Sequence, residues 1–205
     1  MIDFDYAAQH LRGVSRLLIG RDDWREDMDF STDGVFKSLW AIALTAPFSA
    51  LGFIATEKAV RHSPDYTNTM FAKAPFSLLL VAELIGLVLF WGVSIALLAF
   101  TAKRIGASRH AAGAIVSFNW SQLLSSLVWA VPAAILVVTN QPEVLALAVL
   151  PVIILGLFLL WRVLRQGLAM TIGGAVSFIV MLMIFEVAFN SLLMNGAIWL
   201  YRLMS

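Results

Sequence analysis

Five long apolar runs dominate this chain and leave it few ways to fold. They cover about residues 35–56, 77–102, 111–139, 144–161 and 168–200. A helix needs roughly 20 apolar residues to cross a hydrocarbon core of about 30 Å. Lipid offers no partners to backbone N–H and C=O groups, so runs of this kind satisfy them internally, as helices. The expected fold class is therefore all-α, a polytopic transmembrane helical bundle of about five spans. Composition agrees. Of 205 residues, 60% are hydrophobic and 13% are charged, whereas a soluble domain carries about 45–50% and about 25%. Mean hydropathy is +0.87. The chain has no room for a soluble catalytic domain beside the spans.

Residues 1–34 form a polar segment before the first span. Within residues 4–19, Phe4, Ala7, Ala8, Leu11, Val14 and Leu18 follow helical spacing. Gln9, Arg12 and Arg16 fall on the other side. That pattern predicts a short amphipathic helix lying in the membrane interface, or else one packed on its own loops. Gly20 is placed to end it. In the charged connector that follows, Trp24 is expected at headgroup level. Arg12, Arg16 and Trp24 are thus the candidate interfacial anchors. No apolar core of a cleavable leader occupies the N-terminus.

Ser31 and Thr32 are candidate N-caps for the first span. Pro47, Pro132 and Pro151 fall inside spans and predict kinks. Residues 140–143 predict a tight polar turn. The last run exceeds what one crossing needs, so it either tilts or breaks near Asn190–Asn195. Lys and Arg are divided unevenly. One side holds Arg12, Arg16, Arg21, Arg25, Lys37, Lys103, Arg104, Arg109, Arg162 and Arg165, and the other holds Lys58, Arg61, Lys73 and Arg202. By the positive-inside rule the N-terminus is cytoplasmic and the C-terminus lies outside.

The costliest residues in the spans are Glu83 in the second and Glu186 in the last. A carboxylate there costs about 2.5–3.5 kcal/mol on insertion scales and is a functional candidate by default. Asn190 sits one turn beyond Glu186. If the two helices touch, the acids form one site and share a proton, since two close carboxylates resist double ionisation. The alternative is that each acid is neutral or bonded to a neighbouring helix or headgroup. The third span carries SFNWSQLLSS. Ser117, Ser121 and Ser125 form one ridge, and Asn119, Gln122 and Ser126 form the next. Val116, Trp120, Leu123, Leu124 and Leu127 are expected to face lipid. The polar ridges serve close helix packing or a pocket for a ligand or partner helix. Gly173 and Ser177 suggest a second packing ridge. Trp40, Trp91, Trp161 and Trp199 are expected at span ends as anchors.

Other chemistry is missing from the pattern. There is no cysteine, and His10, His62 and His110 have no second ligand one turn away, so no metal or cofactor is expected. No phosphate-loop, GxSxG or HExxH pattern occurs. Net charge is +1, which gives no field for nucleic acid.

With these features in view, the chain resembles bacterial members of the YIP family (Ypt-interacting-protein-type membrane proteins). Those have a polar N-terminal segment and five helices. The resemblance runs over about residues 14–190. It is carried by RLLIGRDDWREDM, by Ile105-Gly106-Ala107-Ser108 before the third span, and by LLWRVLRQGLAMTIGGAVSF. The family tends to show Pro where this chain has Gly20-Arg21 and Gln122. The resemblance implies a non-enzymatic protein of membrane organisation and transfers no catalytic residue.

Two functions fit the sequence. The first is a non-catalytic scaffold, assembly factor or accessory subunit that meets membrane lipids and other integral membrane proteins through its polar faces. The second is a transporter or channel component using Glu83, Glu186 and the polar face of the third span. An intramembrane enzyme is disfavoured, since no nucleophile–base pair is visible.

Overall fold

The computed structural model describes residues 3–204 and contains eight α-helices, with no strand among those residues. The helices are α1 (Phe4–Leu18), α2 (Thr32–Ser38), α3 (Trp40–Arg61), α4 (Met70–Lys73), α5 (Phe76–Arg104), α6 (Ala111–Thr139), α7 (Pro142–Arg162) and α8 (Ile172–Met204). Five segments are long and apolar enough to cross a membrane: Thr32–Arg61, which joins α2 and α3, then α5, α6 with its preceding turn, α7 with its following turn, and α8. The protein is a multi-pass α-helical membrane protein.

Local chemistry accounts for the helix ends. Ser31 caps α2, its hydroxyl accepting from the Gly34 amide at 3.0 Å. Gly20 takes a left-handed φ of +78° just past α1, where the Arg21 amide reaches back to the Arg16 carbonyl. Asn140 is left-handed at φ 58° and Pro142 opens α7, which makes the 140–143 turn. Helices α3, α6 and α7 run on through Pro47, Pro132 and Pro151. Helix α8 is unbroken over 33 residues, with no interruption at Asn190–Asn195. At 1.5 Å per residue it is roughly 50 Å long, more than a perpendicular crossing requires.

Helix α6 is the centre of the bundle and packs on α3, α7, α5, α1 and α2. Ala114 to Ser121 are buried without a gap. The expectation that Val116, Trp120 and Leu123 face lipid is therefore wrong: they are at most 3% exposed. The first half of this central helix is enclosed on all sides, so its apolar arc there meets other helices. Helix α8 lies at the periphery, mainly against α5, and exposes Val176, Val180, Ile184 and Val187. Gly173 has no neighbour within 4 Å of a built Cβ and Ser177 is exposed, so they form no packing ridge.

Helix α1 is amphipathic, but its apolar face is spent on the protein itself. Ala7, Val14 and Leu17 are buried against the Asp22–Asp27 turn, α6 and α7. Trp24 is not at a headgroup-facing surface. It is 3% exposed and sits edge-on to Phe30. Arg16 turns inward to Asp27 at 2.9 Å and Asp23 at 3.7 Å. Of the three expected anchors, Arg12 alone is exposed. The physical reason is the connector: its acids offer Arg16 a nearer partner than a lipid phosphate. Because Asp27 is largely buried, Arg16→Ala is expected to cost about 1–2 kcal/mol. Limited proteolysis should then release residues 3–30 before the bundle is cut. Unchanged cleavage would show that the ion pair does not hold the segment.

Candidate functional site

Helices α3, α5, α6 and α8 line a cavity of about 230 Å³ near the middle of their lengths, with Glu186 and Asn190 exposed at its side. Its walls include Thr45 and Ser49 from α3, Glu83 and Phe90 from α5, Gln122 and Ser126 from α6, and Glu186 and Asn190 from α8. The two intramembrane carboxylates thus reach one space from helices that are adjacent in the bundle. Helix α8 can lie close to α5 here because Gly86 has no side chain: a built Cβ would stand 3.0 Å from Leu193 Cδ1. Phe90 stacks on Phe185 across the same seam at 5.9 Å, and Phe189 stacks on Phe185 within α8 at 5.4 Å.

The electrostatics are one-sided. The ion pairs among the described residues involve Arg16, Arg21, Lys37 and Arg61, and none reaches Glu83 or Glu186. No Lys, Arg or His lines the cavity. Thr45 is 2% exposed and its hydroxyl has no partner, although it lines this space. A buried unpaired hydroxyl costs free energy, and a molecule in the cavity would supply what it lacks.

The two ends of the cavity differ. A second cavity of about 240 Å³ shares Ser49, Glu83 and Asn190 and continues to Thr56 and Met70. This cleft therefore leads toward the end of the bundle that carries the 62–75 loop. Toward the N-terminal segment the way is shut by a buried hydrogen-bond chain. Trp91 Nε1 donates to Asn119 Oδ1 at 2.7 Å, Asn119 Nδ2 donates to Ser38 Oγ at 2.8 Å, and Ser38 Oγ donates to the Val35 carbonyl at 2.7 Å. Trp91 is 3% exposed, and Asn119 and Ser38 are fully buried. Phe118 closes beside them, its ring edge-on to Trp91 at 6.3 Å.

The polar residues of the third span do not act as one face. Gln122 and Ser126 line the cavity, while Asn119 forms the bolt beneath it. Ser125 lies toward α7, where a built Gly156 Cβ would meet its hydroxyl at 4.0 Å. Ser121 donates back to the Phe118 carbonyl, and Ser117 is buried without a partner. Sequence reasoning missed Thr45, Ser49 and Ser38. Thr45 and Ser49 are one turn apart in an apolar run, which was a usable signal. It also placed Trp91 at a span end, whereas it is central to α5 and holds the bolt.

His10, outside the five spans, is fully buried. Its ring stacks between Tyr6 at 4.0 Å and Trp120 at 5.2 Å. Its Nδ1 faces the Tyr6 carbonyl at 2.8 Å, while its Nε2 accepts from the Asp29 amide at 3.1 Å. That pairing requires the neutral ring protonated on Nδ1. Burial pushes the His10 pKa down, against the Tyr6 carbonyl, Asp29 and Asp27, which favour the charged form. Burial and the nearby Asp29 and Asp33 carboxylates push the Tyr6 phenol up to about 12.

No group of three or more His, Asp or Glu suited to hold a metal ion occurs among the described residues. No protein-family model, curated protein or solved structure matches this chain.

Proposed function

We propose that this protein is a transporter or channel component that accepts a cationic solute or proton in its central cavity. The observation that carries the reading is the convergence of Glu83 and Glu186 on one cavity that no basic side chain enters. Two acids in an apolar span are expensive to keep, and a pair without a protein counter-charge is suited to a cation from outside the chain. The cleft past Ser49 and Asn190 supplies a route from one end, and the Trp91–Asn119–Ser38 bolt closes the other. One-sided access to a midplane site is what a carrier in one of its two states presents. With the N-terminus cytoplasmic, as the Lys and Arg distribution favours, in the bacterial inner membrane that the resemblance implies, the open cleft faces outward.

The other reading, a non-catalytic scaffold, assembly factor or accessory subunit, rests on the absence of catalytic motifs, an N-terminal amphipathic helix and a polar face on the third span. Of that face, Ser117, Asn119 and Ser121 are at most 2% exposed within this chain, which favours the cavity reading. Kinship with the YIP family likewise stays a proposal, drawn from the resemblance alone.

The test is flux in proteoliposomes driven by a membrane potential or pH gradient. Wild-type protein should carry it, and Glu83→Gln/Glu186→Gln should lose it by about tenfold or more while keeping its unfolding temperature. Equal flux in the double variant, or none in the wild type, would reject the reading.

A further inference from the structure

Resting on the transport reading above, we infer that the cavity takes a small organic ammonium ion, a charged nitrogen carried on an apolar body, in preference to an inorganic cation. The walls of the cavity hold both kinds of group that such a molecule needs. Glu83, Glu186 and the unpartnered Thr45 hydroxyl supply acceptors for an N–H-bearing cation. Phe90, Phe118 and Phe189 supply ring surfaces. An ammonium group is drawn both to carboxylates and to aromatic faces, and the attraction to rings strengthens when water is excluded.

Size separates the two kinds of cation. A volume of about 230 Å³ equals roughly eight water volumes at about 30 Å³ each. That is far more than a bare metal ion fills. A dehydrated divalent ion needs roughly six or more oxygens at about 2.0–2.6 Å. Only two carboxylates reach this space, and no group of three or more His, Asp or Glu suited to a metal ion occurs among the described residues. A compact organic cation fills the space, gives the two acids a counter-charge and gives Thr45 its missing partner. Glu186 and Asn190 are exposed at the side of the bundle, and the cleft toward Met70 leads to Glu83 and Asn190.

The probe is phenethylammonium, titrated calorimetrically into the full-length protein in detergent and in nanodiscs. Its neutral counterpart is 2-phenylethanol, and the inorganic competitors are Na⁺ and K⁺. Phenethylammonium should bind roughly tenfold or more tightly than 2-phenylethanol, and 0.1 M Na⁺ or K⁺ should not displace it. Glu83→Gln/Glu186→Gln should weaken it by about tenfold or more, and Phe118→Leu by roughly threefold or more. Phe90→Leu supplies the aromatic test should Phe118→Leu unfold. Equal binding of the alcohol, displacement by Na⁺ or K⁺, or indifference to ring removal would each overturn the inference. In those cases flux of an inorganic cation or proton through wild-type liposomes would leave the transport reading standing. If folded protein binds no cation and carries no flux, both fall.

Discussion

Asn119→Leu is expected to lower the stability of the protein by about 2–3 kcal/mol, a magnitude set by losing two buried hydrogen bonds in a membrane domain. Asn119 is the middle of the bolt, accepting from Trp91 and donating to Ser38. Leucine keeps the volume but leaves the Trp91 indole N–H unpaired in a dry core. The Ser38 hydroxyl still has the Val35 carbonyl, so most of the cost falls on Trp91. Ser38→Ala should cost roughly half as much, because the Trp91–Asn119 bond survives it. Thermal unfolding in detergent measures both.

The same change should alter access. The chain contains no cysteine, so Ser49→Cys adds a single thiol inside the cleft. A membrane-impermeant maleimide should label it from the end that carries the 62–75 loop and not from the end that carries α1. With Asn119→Leu added, labelling from both ends is expected. Labelling from both ends without that change would mean the bolt is no barrier. A stable, one-sided Asn119→Leu protein would show that Phe118 and the helix packing close the cavity without it.

Acidification is expected to detach α1 from the bundle. His10 is held neutral by the Asp29 amide at its Nε2 and by burial, so its folded pKa lies below the ordinary value near 6.5. The unfolded segment then binds more protons than the docked one as pH falls below that value. Stability from this group is fully present above about pH 6.5 and is lost progressively as pH falls toward the folded value. A protonated ring would turn an N–H against the Asp29 amide while stacked on Tyr6 and Trp120. Asp27 and Asp29 soften the penalty without replacing the lost acceptor. Hydrogen exchange over residues 4–18, taken relative to the intrinsic amide rate at each pH, should rise roughly tenfold for each pKa unit of depression sampled between pH 7.5 and 5. His10→Phe keeps the ring stack and should remove the pH dependence. A pH-independent exchange profile in the wild type would show that His10 does not control the docking.

The site was partly legible because lipid makes charge conspicuous. Glu83 and Glu186 stood out by cost alone, and Asn190 followed from its position one turn after Glu186. That the two acids share a cavity was not legible. It depends on α8 lying against α5 at Gly86, and helix neighbours are not written in any local pattern. Thr45 and Ser49 went unnoticed because single hydroxyls are tolerated anywhere in a span, where they bond to their own helix. The N-terminal segment misled for a different reason. An amphipathic stripe reports that a face will be buried and says nothing about whether lipid or protein covers it. Here the turn at Asp22–Asp27 folds back under α1, and Trp24 and Arg16 go with it.

By itself, the sequence determined the number and extent of the apolar helices, because an unpaired backbone is intolerable in hydrocarbon and only a helix of about 20 residues solves that locally. It also determined the turns at Ser31, Gly20 and Asn140, whose side chains or φ angles act within one helical turn. Only the tertiary structure decided which face of each helix turns inward. Lipid tails and a protein core are equally apolar, so Trp120 reads the same in either place and hydropathy cannot choose between them. That choice, made by packing around α6, is what brings two distant carboxylates to one cavity and bolts one end of it shut.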